Sequence, residues 1–218
     1  MHPLLFRIAR RINRWLTPYR VAEQQPLPMQ ALSAEHLRSL RVVPDRRALL
    51  EQLPKGAVIA EIGVDQGDFS AQILEICQPS VLYLIDVWGS ARYHEGLYQA
   101  VQTRFQAEMA AGRVQIRRGY STERLPEFAD SSLDWVYLDT DHTYATTRQE
   151  LEILRHKVKP GGIIAGHDFT IGSWNRGIRY GVVEAVHEFC LAQHWELIWL
   201  THEPDRTLSF AIRQAGKG

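Results

Sequence analysis

Apolar residues recur along this chain with two different periods, and the alternation between them predicts its elements. Short runs rich in β-branched and aromatic residues fall at Val58 to Ile62, Val81 to Ile85, Val114 to Ile116, Leu133 to Leu138 and Ile163 to Ala165. Their length and composition suit buried strands. Between them the apolar spacing changes to three and four residues over Phe69 to Ile76, Leu97 to Ala111, a short stretch near Glu123 to Phe128, and Tyr144 to Lys157. That is the stripe of an amphipathic helix. Strands separated by helices pair in parallel, because a parallel crossover needs a dozen or more residues.

Both ends depart from this repeat. Asp45 to Leu53 predicts a short helix, capped by Asp45 and closed by Pro54-Lys55-Gly56. Val182 to Gln193 predicts another, followed by a hairpin of Trp195 to Leu200 and Thr207 to Ile212 around His202 to Arg206. The first twenty residues, MHPLLFRIARRINRWLTPYR, hold five arginines and no acid, with Leu5, Ile8, Ile12, Trp15 and Leu16 at helical spacing. Such a basic amphipathic helix suits a peripheral membrane contact, a lid over a site, or packing on its own domain or in a homodimer. Residues 17 to 32, with Pro18, Pro26 and Pro28, read as a linker. The expected division is an appendage over residues 1–40 and one globular domain over 41–218.

Composition narrows the function classes. With 218 residues, 45% hydrophobic and 23% charged, the chain has ordinary globular make-up. Lys+Arg and Asp+Glu are both 25, so no global field recruits nucleic acid. Cys77 and Cys190 match no zinc spacing and read as buried free thiols. No run is long enough for a transmembrane helix and no signal-peptide pattern opens the chain, so a cytoplasmic location is expected.

The chemistry concentrates where strands end. AVIAEIGVDQGDFS, residues 57 to 70, runs from a strand through Glu61, Gly63 and Gly67 into a helix. Glycines there allow a sharp turn and close approach of a ligand. A dinucleotide turn shows three glycines; here the pattern is acid-x-G-x-x-x-G, with Asp65 inside the loop. Two carboxylates are poor neighbours for phosphate and good ones for a cation. The next strand ends on Asp86, 25 positions beyond Glu61, where an acid can accept bonds from both hydroxyls of a ribose. The fourth run leads into LDTDHTY and the fifth lies in KPGGIIAGHDF, so Asp139, Asp141, His142, His167 and Asp168 share one sheet edge.

AEIGVDQG, LDTDHTY and KPGGIIAGHDF resemble the class I methyltransferases, and among them the small-molecule O-methyltransferases of macrocin and catechol type, over roughly residues 45 to 170. The resemblance implies an α/β fold, a Rossmann-like doubly wound sheet of about seven strands with the last antiparallel. It implies S-adenosyl-L-methionine as cofactor, held by Glu61, Gly63, Val64, Gly67, Ser70, Asp86, Val87, Gly119, Ser121 and Asp139. It also implies a magnesium ion or another divalent metal on Asp139, His167 and Asp168, and a small-molecule hydroxyl as acceptor.

His167 departs from the family's oxygen ligands, since magnesium prefers oxygen and imidazole suits softer ions. Either the metal differs, Asp141 replaces the ligand, or the reaction is metal-independent. In the last case His167 or His142 serves as general base, oriented by Asp168 or Asp141. Substrate shape is expected from residues 88–98 and 171–181, where Trp88, Tyr93, Trp174 and Tyr180 can stack on a ring and Arg92, Arg176 and Arg179 can meet an anion. Two other classes remain open: a nicotinamide-dependent oxidoreductase, and a non-catalytic membrane-associated binding module.

Overall fold

The computed structural model describes residues 3–23, 27–173, 177–203 and 207–216. Among these residues ten strands are present: β1 (Arg41–Val43), β2 (Val58–Ile62), β3 (Val81–Asp86), β4 (Val114–Arg118), β5 (Leu133–Leu138), β6 (Val158–Gly166), β7 (Gly172–Ser173), β8 (Ile178–Arg179), β9 (Trp195–Thr201) and β10 (Phe210–Gln214). The helices are α1 (Pro3–Glu23), α2 (Arg46–Gln52), α3 (Asp68–Cys77), α4 (Glu95–Arg104), α5 (Gln106–Ala110), α6 (Ser121–Arg124), α7 (Tyr144–Lys157) and α8 (Val182–Gln193), with a 3-10 turn at Leu125–Glu127.

Eight strands form one sheet in the order β1-β9-β10-β6-β5-β2-β3-β4, and β7 and β8 form a separate ribbon. In the larger sheet β10 is antiparallel to both neighbours, and the other seven strands share one direction. Alternate residues of each central strand enter opposite cores. Ala60, Ile62, Val136 and Leu138 pack with α7 and α8 residues such as Leu151, Leu154, Val186 and Phe189. Ile59, Trp135 and Tyr137 pack with Leu49 and Leu50 of α2, Ile73 of α3 and Val101 of α4. A sheet covered on both faces explains why its strands read as nearly continuous apolar runs.

The predicted helices at α7 and α8 have the observed bounds, and Asp45 caps α2 by accepting from the Ala48 amide at 2.8 Å. Other expectations need correction. The sheet has eight strands because Arg41–Val43 pairs in parallel with β9. Only Val43 of those three is buried, which leaves too little pattern to see in sequence. The helix expected over Leu97 to Ala111 divides at Phe105, whose φ of −107° and ψ of 21° depart from helical values. The stretch read as a linker from residue 17 remains helical through Pro18 to Glu23.

Candidate active site

Strand order reverses at β2, which pairs with β3 on one side and β5 on the other. In an open α/β sheet such a switch point leaves a crevice beyond the strand ends. Here it opens into a cavity of about 750 Å³, a size that suits a small-molecule ligand.

One wall is made mostly of backbone. Gly63 has φ +90°, and a Cβ there would lie 1.8 Å from the Asp139 carbonyl oxygen, so the loops after β2 and β5 meet only because this residue is glycine. The Asp86 carboxylate accepts from the amides of Val64 at 2.8 Å, Asp65 at 3.0 Å and Trp88 at 3.2 Å. Amides that a dinucleotide fold directs at pyrophosphate are therefore bonded to an acid. Glu61 lies behind this loop, 1% exposed, with Oε2 unpaired among the described residues. Burial raises its pKa to about 8, with the Ser70 hydroxyl opposing the shift and the charges of Asp139 and Asp86 adding to it.

The opposite wall is made of side chains that bond to one another. The Asp139 amide donates to the Ile62 carbonyl at 2.7 Å and the His167 amide to the Leu138 carbonyl at 2.8 Å, which fixes the loops after β5 and β6 side by side. His142 and Asp168 both take left-handed backbone, φ 62° and φ 54°. His142 Nδ1 then lies 2.7 Å from Asp168 Oδ2. Burial pushes Asp168 up, but hydrogen bonds from His142, His167 and Thr207 outweigh it and hold this acid well below the usual carboxylate range. Burial likewise pushes His142 down, while its bond to Asp168 and the charges of Asp168, Asp139 and Asp141 leave its pKa raised. Burial raises Asp139, whose carboxylate stands 3.6 Å from His167 Nδ1 and 3.7 Å from Arg46.

The His142 ring is held from behind. Tyr180 sits 4.9 Å from it, centroid to centroid, and the Gly181 amide donates to the His142 carbonyl at 2.9 Å. With Nδ1–H committed to Asp168, Nε2 is the basic nitrogen. Asp139, His142 and Asp168 also offer ligand atoms within 4.8 Å of one another. His167 stands beside that trio, its Nδ1 3.6 Å from Asp168 Oδ1 and its Nε2 3.3 Å from the Thr207 hydroxyl.

A family model described as a methyltransferase domain matches residues 60–169, the stretch from β2 to the Asp168 loop. The chain belongs to this methyltransferase family. No curated protein matches it in sequence. Among solved structures it is similar to a putative rRNA-methylase from Clostridium thermocellum, at TM-score 0.59 and 14% identity over 79% of this chain and 94% of that one. A SAM-dependent methyltransferase from Aquifex aeolicus aligns at TM-score 0.56 and 13% identity over 76% and 86%. The pyocyanin biosynthetic protein PhzM aligns at TM-score 0.56 and 15% identity over 74% of this chain, which spans only 51% of PhzM's length. At such identities the likeness shows the fold alone.

Within this methyltransferase the cavity gathers most of the residues expected from sequence: Glu61, Gly63, Val64, Asp86, Val87, Gly119, Ser121, Asp139, His142, His167 and Asp168 all line it. Gly67 and Ser70 do not. Gly67 starts α3 at φ +81°, where a Cβ would lie 2.7 Å from the Phe105 ring. Ser70 is fully buried and borders Glu61 rather than the cavity.

Several substrate expectations are corrected. Trp88 is 1% exposed, its indole N–H donating to the Asp65 carbonyl at 2.8 Å, so it supports the loop and cannot stack on a ligand. Arg179 is ion-paired with buried Glu184. Asp141 accepts from Thr143 N and Thr146 Oγ1, which leaves Asp168 to orient His142. Trp174 and Arg176 lie outside the described residues.

Tyr93, Tyr180 and Arg92 do line the cavity. So do Arg46 and Thr207, which sequence reasoning missed, because Arg46 comes from a helix before the alternating unit and Thr207 from the final connection. Cys77 and Cys190 are free and buried, their thiols pushed by burial to about 11 and about 12.

Proposed function

We propose that this methyltransferase methylates a hydroxyl of a small molecule in the cavity between β2 and β6. The observation that carries the reading is the His142–Asp168 contact of 2.7 Å on the same cavity as Glu61 and Asp86. S-adenosylmethionine supplies an activated methyl group on a sulfonium. Its site fits the residues present: Glu61 offers a buried, unpaired Oε2 to a cation, and Gly63 lets the backbone of the β2 and β5 loops meet along the cavity wall. Asp86 lines the cavity, where its carboxylate would meet a diol, and Gly119 and Ser121 border it on the β4 side.

The protein's remaining task is to align an acceptor and remove its proton. His142 Nε2 accepts the hydroxyl proton, and Asp168 holds the tautomer and stabilises the imidazolium that results. Tyr180 and Tyr93 give apolar surface to a ring or sugar face. Arg46 and Arg92 favour an acceptor that carries negative charge or many oxygens. A phosphate-bearing nicotinamide cofactor is disfavoured, since the loop amides already donate to Asp86.

A second reading has its own observation. The Asp139, His142 and Asp168 cluster could hold a divalent metal, and one imidazole with two carboxylates suits a transition ion better than magnesium. A bound metal would acidify the acceptor hydroxyl, and His142 would then be a ligand rather than a base. Methyl transfer to sugars, polyols and catechols, with chelator and metal add-back, tests both readings. Activity that survives chelation supports the base. Activity restored only by metal supports the second reading, and transfer confined to RNA would overturn both.

A further inference from the structure

The proposed reaction leaves α1 without a role. Its 21 residues form a continuous helix with no acid in the first turn. At helical pitch, Leu4, Leu5, Ile8, Ile12, Trp15 and Leu16 share an arc of roughly 120°, with Arg7, Arg10 and Arg14 opposite and Arg11 at the border. In a helix packed on its own domain that arc would be covered. Here Leu5, Ile8 and Ile12 are 60%, 47% and 52% exposed, and the four arginines are exposed as well. Among the described side chains from Leu4 to Thr17, only Leu16 is even half-buried. Helices of this length draw most of their stability in proteins from packing an apolar face, so the exposed run of Leu5, Ile8 and Ile12 calls for a partner.

Charge selects the partner. Residues 1 to 20 carry five arginines and no acid, so a second copy of α1 would set like charges against one another with nothing in that stretch to neutralise them. An anionic bilayer answers both features: acyl chains cover the apolar arc while headgroups meet the arginines. No helix among the described residues is long and apolar enough to cross a membrane, so the contact lies in the interface plane. We propose that α1 is a peripheral membrane-binding helix, lying along the surface of an anionic lipid bilayer.

Flotation of the full chain with vesicles tests this. Phosphatidylcholine vesicles containing phosphatidylglycerol should bind the protein at least tenfold better than phosphatidylcholine alone, with the preference lost in high salt. Arg7→Gln combined with Arg14→Gln should weaken binding about 25-fold, about fivefold for each arginine. Ile8→Asp combined with Ile12→Asp should abolish it with the near-UV spectrum of the domain unchanged, since both positions are exposed. Equal binding to both vesicle types, indifference to either pair of substitutions, or no flotation would overturn the proposal. So would sedimentation showing a dimer that Ile8→Asp with Ile12→Asp converts to monomer.

Discussion

The wall of the cavity below β2 and β3 and the wall below β5 and β6 face each other across one crevice, but they hold their shapes by different means. On the first, a glycine at φ +90° and three amides bonded to Asp86 set the form of the loop. On the second, imidazole and carboxylate groups from two loops orient one another, with His142 and Asp168 as the closest pair. Backbone that is tied down presents a constant shape, which suits a cofactor that never changes. Coupled side chains can gain and lose protons, which suits an acceptor that must be deprotonated.

Removing the proposed proton acceptor, His142, from the second wall gives the largest expected effect. His142→Gln should lower kcat by about 10²–10⁴, the range of general-base catalysis. Asp168→Asn should lose a comparable factor, because the tautomer and the imidazolium lose their partner. S-adenosylmethionine affinity, measured by calorimetry, should stay within about tenfold, or about 1.4 kcal/mol. Equal losses of binding and turnover would show that the two walls are not separable.

Gly63→Ala probes the seam where the walls touch. A Cβ placed 1.8 Å from the Asp139 carbonyl oxygen must displace backbone, and the left-handed conformation penalises alanine further. A loss of about 3 kcal/mol is expected, a fall in melting temperature of roughly 6–12 °C for a chain of this size. Unlike the base variants, this one should reduce cofactor affinity and turnover together. An unchanged melting temperature would mean that the loops can part without cost.

The difference between the walls also governs what could be read from sequence. Gly63, Asp86 and the runs leading to them are local signals, because a turn needs its glycine and a strand its period wherever they occur. Five parallel strands and α7 and α8 were legible for that reason. Pairings on the second wall depend on distance between loops, which spacing does not encode. Sequence placed Asp139, His142, His167 and Asp168 on one edge but left open whether Asp141 or Asp168 orients a histidine. The answer came from two left-handed residues, His142 and Asp168, that no pattern marks. Trp88 shows the same limit from the other side, since its exposure was unreadable without the Asp65 carbonyl that buries its indole N–H.

Glu61 offers a finer test, because it belongs to the backbone-built wall yet titrates. Burial keeps it protonated up to about pH 8 in the free protein. A cationic ammonium beside it favours the carboxylate, so binding S-adenosylmethionine should expel the proton. The sign follows: affinity rises with pH below 8, by up to about tenfold per unit, then stops rising as Glu61 ionises unaided and the ligand's α-amine begins to lose its charge. Calorimetry in buffers of different ionisation enthalpy should detect the released proton. Glu61→Gln should flatten the slope, and a wild-type affinity independent of pH between 6 and 8 would place the ammonium elsewhere.

The smallest effect is expected at Thr207, whose hydroxyl lies 3.3 Å from His167 Nε2 and also helps hold Asp168 low. Thr207→Val keeps the shape and removes the hydroxyl. A hydrogen bond of this kind contributes about 0.5–1.5 kcal/mol, so kcat should fall by about tenfold at most, and melting should shift by a few degrees. If His142 is the base, His167 and Thr207 only brace its partner Asp168, and the acid limb of the rate profile should move little. A Thr207→Val loss as large as that of His142→Gln, with the acid limb displaced, would transfer the proton-accepting role to His167. The comparison between the walls would survive that result, but its catalytic residue would change.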